Sequence, residues 1–338
     1  MRLLSIATAV PQQSWTQAEF WHALHDVREV RELKPRSRDL LEKILLGESG
    51  IESRHFCVTQ LEDIFNHGAQ DLNETFERDA PALAAKALGA ALAKAGVGTV
   101  DALFVCTCTG YLCPGLSSHV AQQTGLPESA YLMDNTGAGC GAAIPTLRAA
   151  ANYLAAHPGH RAAVVAVEVC SAAPYVSDDP GVLVSMCLFA DGAAAVILDG
   201  ADEPGWRFGS FNTLHLPEER ESIRFVNREG KLCNKLHRSV PEVAAEAVQK
   251  LYPSNGHQPR VISHAGGRDV LAAIRARMPD QALTESTEVL RDFGNMSSPS
   301  VLFALERALS GNGSTPDDLW LVSFGAGFSC HGCSVTKR

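Results

Sequence analysis

Three separate turns of small residues each carry one side chain that is suited to acyl-transfer chemistry. Cys140 lies among glycines in the run GAGCG at residues 137–141, His264 lies in SHAGG, and Asn295 lies in GNMSSP. A cysteine in such a turn before a helix meets free amide N–H groups, which favour a thiolate. Cysteine, histidine and an amide can serve as nucleophile, base and orienting group. The pattern predicts that Cys140 carries acyl groups and forms an ion pair with His264, although a buried structural cysteine is the alternative for Cys140 alone.

Composition narrows the possible partners and compartment. The chain has 338 residues, a formal net charge of −9, and 46% hydrophobic and 20% charged residues. An acidic balance argues against nucleic acid or an anionic membrane surface as a general partner. We find neither a signal-peptide pattern at the start nor an apolar run of about 20 residues that could span a membrane. Ten cysteines in a chain of this size suit a reducing compartment, so we expect a cytoplasmic protein.

Strands and helices alternate along the chain. Apolar runs at 101–109, 162–169 and 319–324 predict buried strands, the last of these being the final strand of the chain. Residues 65–75 read as a loop before a helix over 80–95 that Asp79 caps. Residues 207–216 and 223–232 read as hairpin-like strands. The alternation predicts an α/β fold with a mainly parallel sheet, duplicated as an N-terminal half, 1–200, and a C-terminal half, 201–338.

The motifs together resemble those of chalcone synthase-like type III polyketide synthases. GNMSSPSVLF at 294–303, SHAGG around His264, LFADGA at 188–193, SFGAG at 323–327 and the position of Cys140 carry the resemblance. It implies a thiolase-like duplicated αβαβα layered fold and a homodimer. It also implies iterative condensation of malonyl-CoA onto an acyl-CoA or carrier-protein-bound starter. The half bearing Cys140 would precede the half bearing His264 and Asn295. Such chemistry requires no metal and no redox cofactor.

The resemblance also assigns a substrate pocket. Phe189 matches the first of two phenylalanines that gate the tunnel to the cysteine, whereas the second falls near Cys233 or Asn234, where the sequence has no aromatic ring. We therefore expect a wider tunnel and a flexible or bulky apolar starter, released as a pyrone or resorcinol-type ring. Arg224 falls at a cavity-lining glycine, where it would narrow the pocket and favour a small or acidic starter, or would bind a carboxylate; a surface arginine on a β-hairpin is the favoured alternative. The remaining expected pocket residues are Thr109, Gly139, Ser297 and Cys113, of which Cys113 would reach across the dimer.

Other interpretations stay open from sequence alone. A ketoacyl synthase III-like enzyme with a single condensation shares the expected fold and triad, and a Cys–His–Asn thioester hydrolase has the same residue types in this order. Glu48 stands where plant members have a lysine for CoA, which leaves an acyl carrier protein as a possible donor. Glu168, at the end of a buried strand, is either a site acid or a structural group. The cysteines lack the paired spacing of a structural zinc site, so we expect no metal.

Overall fold

A nine-stranded mixed β-sheet runs through the centre of the fold. The structure, a computed structural model, describes residues 1–64, 68–253, 258–311 and 316–338. The strands in these ranges are β1 (Arg2–Ala9), β2 (Ser14–Thr16), β3 (Ser53–His55), β4 (Ala102–Thr107), β5 (Tyr131–Thr136), β6 (Arg161–Glu168), β7 (Gly192–Asp199), β8 (Trp206–His215), β9 (Ile223–Arg228), β10 (Lys231–Leu236), β11 (Arg260–Ser263), β12 (Asp318–Gly325) and β13 (Ser329–Lys337). The helices are α1 (Gln17–Leu24), α2 (Arg28–Arg31), α3 (Pro35–Leu45), α4 (Ala69–Ala95), α5 (Leu116–Thr124), α6 (Ala143–Ala156), α7 (Pro180–Leu188), α8 (Val240–Leu251), α9 (Arg268–Arg277), α10 (Thr284–Phe293) and α11 (Ser300–Ser310).

The strand order repeats on the two sides of the sheet's middle. One run is β1, β7, β6 and β4, and the other is β8, β13, β12 and β11. In each run the first two pairings are antiparallel and the third is parallel. The runs meet where Arg2 of β1 pairs with Arg207 of β8. The duplicated layered α/β fold is confirmed, while the division at residue 200 stays a prediction. The mainly parallel sheet is wrong, since most strand pairs in the described chain are antiparallel.

Two central helices contact both halves of the sheet. α6 packs on β4 and β6 of the first half and on β12 and β13 of the second, and α11 packs on β1, β7, β11 and β12. α4 covers the outer side of the first half and α8 that of the second. The predicted strands over 101–109, 162–169 and 319–324 are present as β4, β6 and β12, and β4 is buried along its whole length. This layering places β4, β6 and β12 against α6.

α4 is longer than the sequence predicts. It begins at Ala69, so residues 69–75 are helical rather than a loop, and Asp79 lies inside the helix rather than at its cap. The Asp71 carboxylate accepts a hydrogen bond from the Gly68 N–H at 2.9 Å, and burial of Leu72 and Phe76 anchors the first turns. Residues 65–67 of the predicted loop lie outside the described residues. Neither α4 nor any other helix of the described ranges has the length and apolar character of a membrane span.

The strand pairing in the second half also differs from prediction. β12 is not the last strand, because β13 follows it and is buried between β12 and β8. Residues 207–216 and 223–232 do not form a hairpin with one another. Instead β9 pairs with β10 across a turn at Glu229 and Gly230, whose φ values are +53° and +79°, a conformation typical of tight hairpins. β13 lacks an apolar run, so only its position between two strands explains its burial.

Candidate active site

Cys140 lies in the 3-10 turn Gly139–Gly141, just before α6. Gly139 has a φ of +58°, and a Cβ there would lie 3.0 Å from the backbone nitrogen of Ala326. From the other side, a Cβ on Gly325 would lie 2.8 Å from the backbone nitrogen of Cys140. The glycines therefore allow the loop after β12 to lie directly against the turn that presents the cysteine.

His264 and Asn295 come from two further turns. His264 directly follows β11, is 1% exposed, and packs edge-on against Phe324 with ring centroids 5.4 Å apart. Asn295 follows α10, and its side-chain Nδ2 donates to the Gly266 carbonyl at 3.0 Å. Its Oδ1 accepts the Ser297 N–H at 2.8 Å. The amide orientation is therefore fixed, and one Nδ2 hydrogen is available to a ligand.

One cavity of about 400 Å³ brings these three residues together. Cys140, His264 and Asn295 line it with Phe189, and the exposed Arg238 lines its outer part. The cavity thus connects the surface to a nucleophile, a histidine and an amide, as the sequence predicts. Their catalytic roles stay predictions.

Burial controls protonation in this cavity. It raises the pKa of the Cys140 thiol to about 12, although a hydrogen bond from the Ser297 hydroxyl to Sγ at 3.2 Å lowers it in part. Burial also lowers the pKa of His264 to about 3. Burial therefore favours the neutral forms of both groups in the unliganded site, and the predicted thiolate–imidazolium pair stays a prediction.

A chain of hydrogen bonds leads from Cys140 into the core. Ser297 Oγ lies 3.3 Å from Cys108 Sγ, and Cys108 Sγ donates to the Glu168 carboxylate at 3.2 Å. Glu168 is fully buried and also accepts hydrogen bonds from the hydroxyls of Ser298 and Thr109 at 2.6 and 2.9 Å. Burial raises the pKa of this carboxyl. Sequence reasoning noted Glu168 but missed its link to the cysteine, which depends on the pairing of β4 with β6.

The predicted pocket residues separate into two groups. Those around a small pocket of about 20 Å³ beside Cys140 are Thr109, Gly139, Phe189, Arg224, Asn234 and Ser297. The other two lie elsewhere: Cys233 is 1% exposed and does not line this pocket, and Cys113 is solvent-exposed in this chain. Arg224 forms an ion pair with Glu221 at 2.7 Å.

The sequence predicts that a second aromatic ring is missing near Asn234, but the structure places the ring of Phe225 there. It lies directly opposite Asn234 across the β9–β10 hairpin and lines the small pocket together with Phe189. A further pocket of about 60 Å³ shares Phe225, Phe189, Asn234 and Thr109 with it. An aromatic ring on the partner strand therefore lies beside Asn234 at this pocket, and the wider tunnel stays a prediction.

Solved structures of low sequence identity share this fold. A polyketide synthase, PKS-I, from the brown alga Ectocarpus siliculosus has a TM-score of 0.90 at 23% identity, covering 99% of this chain and 98% of its own. The 1,3,6,8-tetrahydroxynaphthalene synthase of Streptomyces coelicolor has a TM-score of 0.87 at 24% identity, covering 100% and 99%. The chain therefore has the layered α/β fold of these structures.

Sequence comparison identifies the family. The family described as FAE1/Type III polyketide synthase-like protein matches residues 8–208, and 3-Oxoacyl-[acyl-carrier-protein (ACP)] synthase III C terminal matches residues 257–337. A 3,5-dihydroxyphenylacetyl-CoA synthase of Streptomyces toyocaensis is 30% identical, covering 91% of this chain and 82% of its own. A 1,3,6,8-tetrahydroxynaphthalene synthase of Streptomyces peucetius subsp. caesius is 29% identical, covering 89% and 84%. The chain belongs to the type III polyketide synthase family and is a Claisen-condensing acyltransferase.

The alternatives from sequence are therefore less well supported. Another relative, the alpha-pyrone synthesis polyketide synthase-like Pks18 of Mycobacterium tuberculosis, is 29% identical over 89% of this chain and 81% of its own. Two of these relatives are named as synthases and the third as polyketide synthase-like, and none of the three is named as a thioester hydrolase. The polyketide synthase interpretation is favoured over a single-condensation enzyme and over a Cys–His–Asn hydrolase.

Proposed function

We propose that the protein loads an acyl starter onto Cys140 and extends it by repeated decarboxylative condensation with malonyl-CoA. The observation that carries the proposal is the single cavity lined by Cys140, His264 and Asn295. In loading, Cys140 Sγ attacks the thioester carbonyl, its C–S bond forms, and the C–S bond to CoA breaks. Burial favours the neutral thiol and imidazole, and in this proposal His264 accepts the thiol proton during attack and returns it to the CoA thiolate.

Extension requires donors for the charge that develops on the malonyl thioester. The C–C bond to the malonyl carboxylate breaks, CO2 leaves, and negative charge gathers on the thioester oxygen. A ring N–H of His264 and the available Nδ2 hydrogen of Asn295 stabilise that oxygen in a site shielded from water. The enolate carbon then bonds to the starter carbonyl and expels the Cys140 thiolate. No electrons are gained or lost overall, so the proposed reaction needs no redox cofactor, and in this proposal the His264 and Asn295 donors rather than a metal ion stabilise the charge.

The names of the relatives support a product class, and the volumes of the pockets support a starter size. The relatives are named for a dihydroxyphenylacetyl-CoA, a tetrahydroxynaphthalene and an alpha-pyrone, which supports a pyrone or a polyhydroxylated aromatic ring here. Beyond Cys140 the pockets measure about 20 and 60 Å³. A short starter suits this space better than the long or bulky apolar starter that the sequence suggests.

Thioester delivery and assembly are part of the same proposal. Arg238 and Arg268 line the cavity that reaches the surface, which suits the phosphates of CoA and also the pantetheine arm of an acyl carrier protein.

At the sheet edge, β5 exposes Tyr131 and Leu132 at 49% and 36%. An apolar sheet edge favours pairing with a second copy, which supports a homodimer. We propose a homodimer, and we propose the cytoplasm as its location. Sedimentation that shows only monomer at micromolar concentration would contradict the dimer.

A decarboxylation assay tests the function. The enzyme is incubated with malonyl-CoA, with and without acetyl-CoA, and CO2 release and product masses are measured. We expect CO2 release and products that contain more than one malonyl-derived unit, and neither in the Cys140→Ala variant. Hydrolysis of acyl-CoA without condensation would support the hydrolase interpretation, and products with one added unit would support the single-condensation enzyme.

A further inference from the structure

The short strand β3 lies between two segments of the site, the end of α7 and the end of α10, and bonds to both. The His55 carbonyl accepts the Asp191 N–H, just beyond α7, at 2.9 Å. The Ser53 hydroxyl donates to the Asp292 carbonyl of α10 at 2.9 Å. Arg54 is the middle residue of β3, so its side chain begins between the two segments.

Arg54 holds the end of α7 through main-chain carbonyls. Its side chain is 1% exposed, and its Nη1 donates to the carbonyls of Met186 and Phe189, both at 2.8 Å. Its Nε donates to Gln17 Oε1 at 2.9 Å, and Gln17 Nε2 in turn donates to the Cys187 carbonyl at 2.9 Å. The last carbonyls of a helix have no partner within the helix, so Arg54 and Gln17 supply the donors that fix this end of α7.

Arg54 also packs against the turn that presents Asn295. A Cβ on Gly294, whose φ is +71°, would lie 2.8 Å from Arg54 Cγ. The backbone just before Asn295 therefore lies directly against the arginine side chain. The Arg54 Cζ atom lies 4.1 Å from the Phe20 ring centroid and 5.1 Å from that of Phe56, and this packing restricts the guanidinium to one position.

The two segments pair with each other beside Arg54. The Asn295 N–H donates to the Leu188 carbonyl at 2.9 Å, and the Ala190 N–H donates to the Asn295 carbonyl at 3.1 Å. These hydrogen bonds form a β-bridge between Phe189 and Asn295, and Arg54 binds the carbonyl of Phe189 in the middle of it. A shift of this bridge would therefore move the main chain that carries the Asn295 amide.

The positive charge of Arg54 strengthens these contacts. Burial lowers the pKa of Arg54 to about 10, so the guanidinium is still charged near pH 7. Hydrogen bonds from a charged donor are roughly twice as strong as neutral ones, and the carbonyl end of a helix favours a cation. The planar guanidinium also presents its donors in a fixed arrangement, which a lysine does not reproduce.

We propose that Arg54 is a positioning residue for decarboxylation, which holds the Asn295 amide where it meets the malonyl thioester oxygen. The inference rests on the proposed function, since it assumes that Asn295 stabilises that oxygen. Arg54 gives no proton to the reacting atoms and acts through the bridge between Phe189 and Asn295. A catalytic group that is misplaced by about 1 Å can cost about 10²-fold in rate.

A purely structural role for Arg54 makes a different prediction. If Arg54 only stabilised the fold, its loss would slow starter loading at Cys140 and malonyl-CoA decarboxylation alike. In the proposed function Asn295 acts on the malonyl unit, so a positioning role affects decarboxylation and leaves loading nearly unchanged. The experiment must therefore measure both rates in the same variants.

Arg54→Met removes the donors and keeps a long side chain. Loading of acetyl-CoA onto Cys140 is measured by intact mass, and decarboxylation by CO2 release from malonyl-CoA. We expect decarboxylation to slow by about tenfold or more and loading by less than about twofold. Arg54→Lys should lie between the wild type and Arg54→Met, because it keeps the charge. The control Leu88→Ala, which removes buried volume from α4 on the outer side of the sheet, should leave the ratio of the two rates unchanged.

A double-mutant cycle shows whether Arg54 acts through Asn295. Asn295→Ala removes the amide that Arg54 is proposed to position. In that background, Arg54→Met should therefore cause no further loss of decarboxylation rate. Losses that multiply in the double variant would overturn the inference, because Arg54 would then act independently of Asn295.

The outcomes separate this inference from the proposed function. Equal losses of loading and decarboxylation in Arg54→Met, or decarboxylation at the wild-type rate, overturn the positioning role, while condensation by the wild type still supports the proposed function. If Arg54→Met does not fold, Arg54→Lys and Gln17→Ala replace it, and the same ratio of rates decides. Absence of CO2 release by the wild type overturns the proposed function and this inference together.

Discussion

Replacing Ser297 by alanine should slow the reaction of Cys140 with an electrophile. The Ser297 hydroxyl donates to Cys140 Sγ at 3.2 Å, at a thiol whose pKa burial raises to about 12. A hydrogen bond to a thiolate stabilises the charged form and lowers the pKa, so losing the bond raises it further. Alanine introduces no new backbone strain, because serine and alanine both carry a Cβ at the φ of +58° found at Ser297.

The magnitude follows from the charge on the acceptor. A hydrogen bond to a charged group contributes about 1.5–3 kcal/mol, and about 1.4 kcal/mol corresponds to one pKa unit. At pH values below the thiol pKa, the thiolate fraction falls about tenfold for each unit by which the pKa rises. Because a thiolate of higher pKa is also more nucleophilic, which offsets nearly half of this loss, we expect alkylation of Cys140 at fixed pH to slow by about three- to tenfold in Ser297→Ala.

Timed iodoacetamide labelling measures this rate. The Cys140 peptide is quantified by mass spectrometry at several pH values, and the rate should rise with pH in both proteins. Ser298→Ala is the matched control, because its hydroxyl donates to Glu168 rather than to Cys140, and its rate should fall much less. If the alanine substitution only gave iodoacetamide easier access to the sulfur, alkylation would become faster. An unchanged or faster rate in Ser297→Ala would therefore refute the reasoning.

Three further predictions concern neighbouring parts of the site. Asn295→Ala should slow malonyl-CoA decarboxylation by about 10²–10³-fold, the usual cost of losing one oxyanion donor, while Cys140 still accepts starter; decarboxylation at the wild-type rate contradicts the role of Asn295. Phe225→Ala should join the inner pockets and raise loading of hexanoyl-CoA relative to acetyl-CoA by about tenfold, with Val226→Ala as control, and an unchanged ratio counts against the gate. Arg238→Gln should raise KM for acyl-CoA about two- to fivefold, as an exposed ion pair would. It should leave KM for the N-acetylcysteamine thioester unchanged, and equal effects on both thioesters would exclude a phosphate contact.

The sequence predicts the central residues of the site because their signals are local. Each lies in a turn of small residues next to a buried strand or helix, and the burial of β4 and β6 follows from continuous apolar runs. The layered fold brings those turns together. The alternation of strands and helices predicted only a duplicated α/β fold, and the family resemblance implied the layered arrangement. Cys140, His264 and Asn295 could therefore be named without a structure.

The features that sequence reasoning missed depend on contacts between distant segments. Phe225 provides a gate ring only because β9 and β10 pair in a register that sets it opposite Asn234. The link from Glu168 to Cys140 runs through Cys108 and Ser297, which come from separate parts of the chain. Burial of the site, which favours the neutral forms of Cys140 and His264, likewise depends on the packing of many segments and not on a local motif.

The most direct test of the account is to locate the acyl group. The enzyme is incubated with an acyl-CoA starter, digested, and the acylated peptide is identified by mass spectrometry. The account predicts acylation of Cys140, and neither acylation nor condensation in Cys140→Ala. Acylation of another residue, such as Cys108, or condensation that persists in Cys140→Ala, would contradict it.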